Sequence, residues 1–432
     1  MALSGTRTFV GFGFGAIQSG LFLYEAYQSG AFERLVVAEV VPQVVDAVRA
    51  NAGMFGVNIA HSDRVERAHI GPVTLENPNV DNDRARLIDA IASAYEISTA
   101  VPSVVYYQSE GAGSLHRVLA AGLRRKAQAG GPCCVVYTAE NNNHAAETLE
   151  ALVMGEIPLE EQTAVMSIVR FLNTVVGKMS GVPSNAAEIA ERGLLPITPD
   201  SGRAFLVEAF NRILITRIDF PQPFTRGIQV FQEKDDLLPF EEAKLYGHNA
   251  THALLAYIAL ALGKPLIADL QSVPGVIEFA RAAFLEESGA ALIQKYMASD
   301  VLFTPKGYAA YVDDLIARMV NPHLRDTAER VGRDPARKLG WDDRLIGTMR
   351  LAWAHEIDMR RYAFGAAAAL AMLPPSPQRV QEQLAALWGD SAPPGAERDA
   401  MLKHVAAARV ELTSWLNNGT PHLERWWGTS GI

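Results

Sequence analysis

Apolar positions along the chain change rhythm near residue 200. Before it, short β-branched runs such as "RTFVGF", "RLVVAEV", "EISTAVPSVVYY" and "PCCVVYTAEN" alternate with amphipathic or loop-like stretches. Strands interleaved with helices predict βαβ units, hence a mostly parallel sheet with helices on both faces. The run "VMSIVRFLN", around residues 165–173, is expected to extend that sheet. From about Asp200 onward, "GRAFLVEAFNRIL", "EEAKLYGHNATHALLAYIALAL", "VIEFARAAFLEESGAALIQKY" and "YAAYVDDLIARMV" show helical spacing of apolar residues. The expectation is an α/β chain: a sheet domain over residues 1–199 and a mainly α-helical domain over 200–432.

The opening strand runs into "GFGFGAIQSG", with Gly11, Gly13, Gly15 and Gly20. Read from Gly11 it gives G-x-G-x-x-A, and read from Gly13 it gives G-x-G-x-x-Q followed by Gly20; the register stays open. Glycines at such a bend remove the Cβ atoms that would keep a pyrophosphate from the amides opening the next helix. The second strand ends at Glu39, whose carboxylate can accept from both ribose hydroxyls and repel a 2′-phosphate. A Rossmann-type domain using NAD rather than NADP is the expectation.

Composition narrows the remaining classes. With 39 basic and 48 acidic residues, a net charge of -9 and no block of like charge, nucleic acid is not an expected partner. The longest apolar runs are shorter than the roughly 20 residues a membrane span needs. The first residues lack the pattern of a signal peptide, so a cytoplasmic protein is expected. Two adjacent cysteines, Cys133 and Cys134, cannot form a disulfide framework and read as small apolar residues of a buried strand.

The stretch "KLYGHNATH" puts Lys244, His248, Asn249 and His252 just before a strongly apolar run. On an ideal helix at ~100° per residue, Lys244, Asn249 and His252 project at roughly 0°, 140° and 80°, and His248 at roughly 40°. An arc of that width could face one cleft, but geometry alone does not choose between the histidines. A lysine here would by itself read as a solvated helix residue.

The spacing K-x-x-x-x-N-x-x-H at Lys244, Asn249 and His252, preceded by "FEEAKL", resembles the signature of the polyol-specific long-chain dehydrogenases, the mannitol dehydrogenase family. "FGFGAIQSG" is similar to that family's cofactor turn in the Gly13 register, with Gly13, Gly15 and Gly20 matching and Gln18 departing. "VAEV", "STAV" and "FLNTVVGKM" resemble further segments in order, the last carrying over Asn173. In the C-terminal half, "FLEESGAALIQKY" and "NPHLRDTAERVGRDPARKL" look most like the mannitol-1-phosphate 5-dehydrogenase branch. The loop "TAENNNHAAETL" keeps the acidic-Asn pair Glu140 and Asn141 but has Asn142, Asn143 and His144 where that branch carries a hydrophobic residue and an arginine.

The resemblance implies a metal-independent, NAD-dependent enzyme interconverting a polyol phosphate and a ketose phosphate. Lys244 would be the general base, Asn173 and Asn249 the donors to the developing alkoxide, and His252 the group orienting substrate. Gly13, Gly15, Gly20, Glu39 and Asn141 would bind cofactor, while Arg330 and Lys338 would hold the far end of the substrate. An unphosphorylated polyol or a hexuronate is the alternative substrate, and a silent nicotinamide-binding sensor the alternative class. A monomer or weak homodimer is expected. Each residue also has a plainer reading: Asn173 a turn or cap, His252 a core histidine, Arg330 and Lys338 ordinary ion-pair charges, and His248 structural or solvent-facing.

Overall fold

The computed structural model describes residues 7–297, 299–374 and 378–429. Two compact units divide it, Met1–Leu237 and Leu238–Ile432.

Among the described residues of the first unit there are twelve strands: β1 (Thr8–Phe12), β2 (Arg34–Ala38), β3 (Phe55–Ala60), β4 (Val65–Ile70), β5 (Thr74–Glu76), β6 (Ala94–Thr99), β7 (Cys134–Thr138), β8 (Val169–Val175), β9 (Ser180–Gly181), β10 (Phe205–Glu208), β11 (Leu214–Thr216) and β12 (Gln232–Lys234). Eight form a sheet in the order β12-β11-β8-β7-β6-β1-β2-β5, parallel throughout except where β11 meets β8. Side-chain alternation splits its core in two. Phe9, Leu35, Val37, Val135 and Tyr137 face one cluster, and Val10, Val36, Ala38, Cys134 and Val136 face the other. The run at 165–173 does extend the sheet, as β8 beside β7. Cys134 is buried in β7, and Cys133 lies half-buried just before it.

Strand order reverses at β1, flanked by β2 and β6, and the three strands end together with Phe12 opposite both Ala38 and Thr99. A crevice outside the carboxyl ends of strands at such a switch point is where open α/β sheets bind ligands.

The remaining strands form a second sheet, β4-β3-β10-β9, which the sequence pattern did not announce. "GRAFLVEAFNRIL", expected to be helical, instead contains β10 and the first residue of β11, because Phe205–Glu208 pairs in parallel with β3. For the same reason the change of texture read at residue 200 is not where the compact units divide: the three strands between 205 and 234 pair with strands of the first unit.

The second unit is helical. Among its described residues three elements matter here. The first is a continuous helix over 238–261, with a π-helical stretch at Ala243–Asn249. Another runs over 276–295, with a π-helical stretch at Ala283–Gly289. The third is the helix Arg360–Leu370. Residues 250–259 are buried all round, as expected for a helix apolar on every face. Its one hydroxyl in that stretch apart from Tyr257, on Thr251, lies 2.7 Å from the Tyr362 hydroxyl. Among the described residues no helix is long and apolar enough to cross a membrane.

Candidate active site

In the first unit, the C-terminal ends of β1, β2 and β6 open on a cavity of about 780 Å³ lined by residues 12–17, Glu39, Val41, Val101, Tyr106 and Arg203, among others. The glycine positions play different parts in it. Gly13 has φ +84, a conformation that L side chains rarely adopt, and a Cβ there would lie 2.9 Å from the Ala100 carbonyl oxygen. Around Gly15 a Cβ would meet nothing within 4 Å, so the backbone at the helix start is open. At Gly20 a Cβ would sit 2.4 Å from Val207 Cγ1, which makes that glycine the contact between helix 16–29 and β10. These three roles (turn, open approach, helix–sheet contact) are those the dinucleotide fingerprint asks of its glycines. Gly11, by contrast, lies within β1 against the buried Gln18 side chain.

Glu39 ties this turn together. Its carboxylate accepts from the Phe14 N–H at 2.9 Å and the Val41 N–H at 2.8 Å. A carboxylate has about four acceptor sites, so ribose hydroxyls can still be received. Glu140 is a second staple, fully inside: it accepts from Thr99 Oγ1 (2.8 Å), the Val101 N–H (2.9 Å) and the Tyr107 hydroxyl. Burial raises its pKa. Asn141 is exposed and is not among the described lining residues of the cavity.

Asn173, near the end of β8, has its amide engaged. Its Oδ1 accepts from the Ala146 N–H at 2.9 Å, and its Nδ2 donates to both Glu147 oxygens at 3.0 and 2.9 Å. Ala146 is the second residue of the helix Ala145–Gly155. Asn173 therefore supplies the capping oxygen of that helix from a distant strand.

In the second unit, the irregular spacing of "KLYGHNATH" becomes regular once the π-helical stretch is seen. Within it, hydrogen bonds run from residue i+5 back to i, so the fifth residue along stands where an α-helix puts the fourth. Asn249 thus stacks on Lys244 rather than lying 140° away, and His252 follows three residues later in ordinary α-helix. All three share one face. The glycine in the stretch, Gly247, has no room for a side chain: a Cβ would be 2.5 Å from Phe284 Cε2 and 2.9 Å from the Tyr308 hydroxyl oxygen.

Lys244 is half-buried. Burial pulls its pKa down to about 8, the Glu241 carboxylate opposing and the Arg344 guanidinium assisting. His248 is buried, not solvent-facing. Its ring lies 6.1 Å from that of His252, and burial, with His252 and Arg318 adding to it, holds it well below its ordinary pKa and therefore neutral.

His252 has a partner that the sequence did not flag. Asp326, 6% exposed, lies with Oδ2 3.2 Å from His252 Nε2, while its Oδ1 accepts from Arg330 Nε at 2.9 Å. Burial alone would raise the Asp326 pKa; the His252 ring and the Arg330 guanidinium outweigh it and hold the carboxyl low. The His252 and Asp326 atoms are close but not aligned for a hydrogen bond, and each is otherwise without a partner. Lys338 is 2% exposed and donates to the Arg333 carbonyl. Burial, with Arg344 and Arg337, brings it down to about 8. Support from below comes from Glu287, fully buried, which accepts the N–H groups of Arg361 (2.8 Å) and Tyr362 (3.1 Å) at the start of the helix whose Tyr362 meets Thr251. Asp326 was within reach of sequence reasoning, since it lies four residues before Arg330 inside "NPHLRDTAERVGRDPARKL"; an acid at i, i+4 to an arginine is the usual ion-pair spacing.

Two solved structures share this fold over almost the whole chain. The mannitol 2-dehydrogenase of Pseudomonas fluorescens, in ternary complex with NAD and D-mannitol, is 16% identical, with 96% of this chain and 93% of that one covered and a TM-score of 0.70. A D-sorbitol dehydrogenase in substrate-free form is also 16% identical, over 96% and 94%, with a TM-score of 0.74. Residues 236–383, which include Lys244, Asn249, His252, Asp326, Arg330 and Lys338, match the model of the mannitol dehydrogenase C-terminal domain. Over those residues the helical part of this chain is similar to the mannitol dehydrogenase C-terminal domain.

Proposed function

We propose that the protein is an NAD-dependent polyol dehydrogenase with Lys244 as its general base. The observation that carries this is the single face of Lys244, Asn249 and His252, with the lysine brought to about 8. At pH 7 a base with that pKa is neutral in roughly one molecule in ten, against roughly one in three thousand at the ordinary lysine value. Lys244 takes the hydroxyl proton, Asn249 donates to the alkoxide that develops, and His252, with the Asp326 carboxylate beside it, orients the substrate. The neutral amide suits that role, since it need not titrate.

The cavity at the switch point fits a dinucleotide: Gly15 leaves the approach to the helix start open, and Glu39 stands at the end of β2. Bound there, a nicotinamide supplies the hydride acceptor for alcohol oxidation and the donor for the reverse. The named relatives support this reading, one holding NAD and D-mannitol and the other being a sorbitol enzyme. Asn173, with its amide engaged by the 145–155 helix, supports the capping role better than the alkoxide one.

For the substrate's far end, the geometry favours an uncharged polyol. Arg330 is paired with Asp326, Arg344 with Asp343 at 2.8 Å, and Lys338 is buried on a carbonyl with a lowered pKa. A phosphate site gains most from cations whose charge is not already balanced by a carboxylate or weakened by burial. The hexitol-phosphate reading keeps the likeness of "NPHLRDTAERVGRDPARKL" to the phosphate-using branch as its support. NADH formation with mannitol, sorbitol, arabinitol, mannitol 1-phosphate and, in reverse, fructuronate tests both. Turnover with a free hexitol and little with its phosphate is expected; the opposite preference overturns the uncharged reading, and no turnover with any of them overturns the function.

A further inference from the structure

Among the described residues lining the switch-point cavity only two carry charge, Glu39 and Arg203, and they are held in opposite ways. Glu39 is fixed by two backbone amides. The exposed guanidinium of Arg203 makes no hydrogen bond or ion pair with any described residue. Only its backbone is anchored, its N–H donating to Ser201 Oγ at 3.2 Å and its carbonyl accepting from the Ile197 N–H at 2.9 Å. Elsewhere in this unit Arg49, Arg86, Arg124 and Arg170 each rest on a carboxylate.

The second sheet brings this arginine to the glycine turn. Arg203 lies two residues ahead of Phe205 in β10, and the Phe205 ring meets that of Phe14 edge to face, with centroids 5.5 Å apart. Phe14 is the residue between Gly13 and Gly15, and β10 also provides Val207, against which Gly20 closes. One strand therefore buttresses the helix start and, just before it, sends a cation into the same cavity. The turn offers backbone N–H groups and the positive end of a helix dipole, which favour an anion but carry only about half a charge. A diphosphate asks for more.

We propose that Arg203 is the anion clamp of this cavity, its guanidinium binding the pyrophosphate of the dinucleotide opposite the amides of residues 14–16. The inference rests on the reading of the cavity as a dinucleotide site. Its place in the loop before β10, rather than after β2 beside Glu39, assigns the arginine to the diphosphate and not to a ribose 2′-phosphate. A planar fork suits the two oxygens of a phosphate, as an ammonium does not.

The test is equilibrium binding of NADH, NADPH, ADP-ribose and adenosine to the full chain and to its Arg203→Ala and Arg203→Lys variants, by titration calorimetry. Arg203→Ala is expected to weaken NADH and ADP-ribose by the same factor, about tenfold, with adenosine unchanged and Arg203→Lys restoring only part. Unchanged NADH affinity in Arg203→Ala overturns the clamp, as does an equal loss for adenosine, which would place the contact on the nucleoside. A larger loss for NADPH than for NADH would move it to the 2′-phosphate and also overturn the proposal. Failure of the wild type to bind NADH at all would instead sink the dinucleotide reading itself, a separate result.

Discussion

The helix at 16–29 in the first unit and the helix at 238–261 in the second share a device. Each carries a π-helical stretch, Gln18–Leu23 and Ala243–Asn249, with a glycine inside it pressed on a neighbour, Gly20 on Val207 and Gly247 on Phe284. They use it for different chemistry. The first presents backbone: an open turn at Gly13 and Gly15, with the π-helical stretch seating the helix on β10. The second presents side chains, and its extra residue per turn rotates Asn249 onto Lys244. A site made of backbone depends on where side chains are missing, whereas a site made of side chains depends on the local pitch of the helix that carries them.

Removing the base should have the largest effect. Lys244→Ala is expected to lower kcat by about 10² to 10⁴-fold with NADH affinity unchanged, measured by steady-state rates beside a binding titration; loss of both together would mean the helix, not the base, had been damaged. Disturbing the pitch comes next. Gly247→Val must displace Phe284 or the π-helical stretch, and a misplacement of about 1 Å can cost about 100-fold in kcat/KM, along with about 1 to 3 kcal/mol of stability. The matching change in the first unit, Gly20→Ala, should weaken NADH binding and leave the KM for polyol alone. If the two glycine variants gave the same kinetic pattern, the contrast between the helices would fail.

Asp326→Asn is a milder perturbation. Removing the charge between His252 and Arg330 should raise the polyol KM about tenfold while kcat changes little, and a fall in kcat with constant KM would show that His252 acts on the reacting atoms instead. Smallest is Asn173→Ala. Loss of the cap on the 145–155 helix should cost about 1 kcal/mol, read as a lower Tm, with kcat near wild type; a fall in kcat of about 100-fold would return Asn173 to the alkoxide.

Much of this architecture was legible in the chain because β-branched runs such as "RLVVAEV" and "PCCVVYT" alternate with helical patterns. The second sheet was not. Phe205–Glu208 lies in a window whose apolar spacing fits a helix, and only its partner β3, far away in sequence, makes it a strand. At the site, the residue types of "KLYGHNATH" could be read, but their geometry could not. Nothing in the letters marks a π-helical stretch, so an ideal wheel spread Lys244 and Asn249 apart and left His248 facing either way. Asp326 was overlooked for a related reason. An acidic residue among basic neighbours reads as surface charge, and its burial between His252 and Arg330 depends on how residues 325–332 pack on the helix at 250–261.

The most direct test of the account is the pH dependence of kcat/KM for polyol oxidation in the wild type. Lys244 must be neutral to accept the proton, so the rate should rise about tenfold per pH unit and level off above a midpoint of about 8, where burial has placed this amine. The residual rate of Lys244→Ala should lack that midpoint. A wild-type profile that is flat across this range, or the same midpoint surviving in Lys244→Ala, would contradict the assignment of Lys244 as the base.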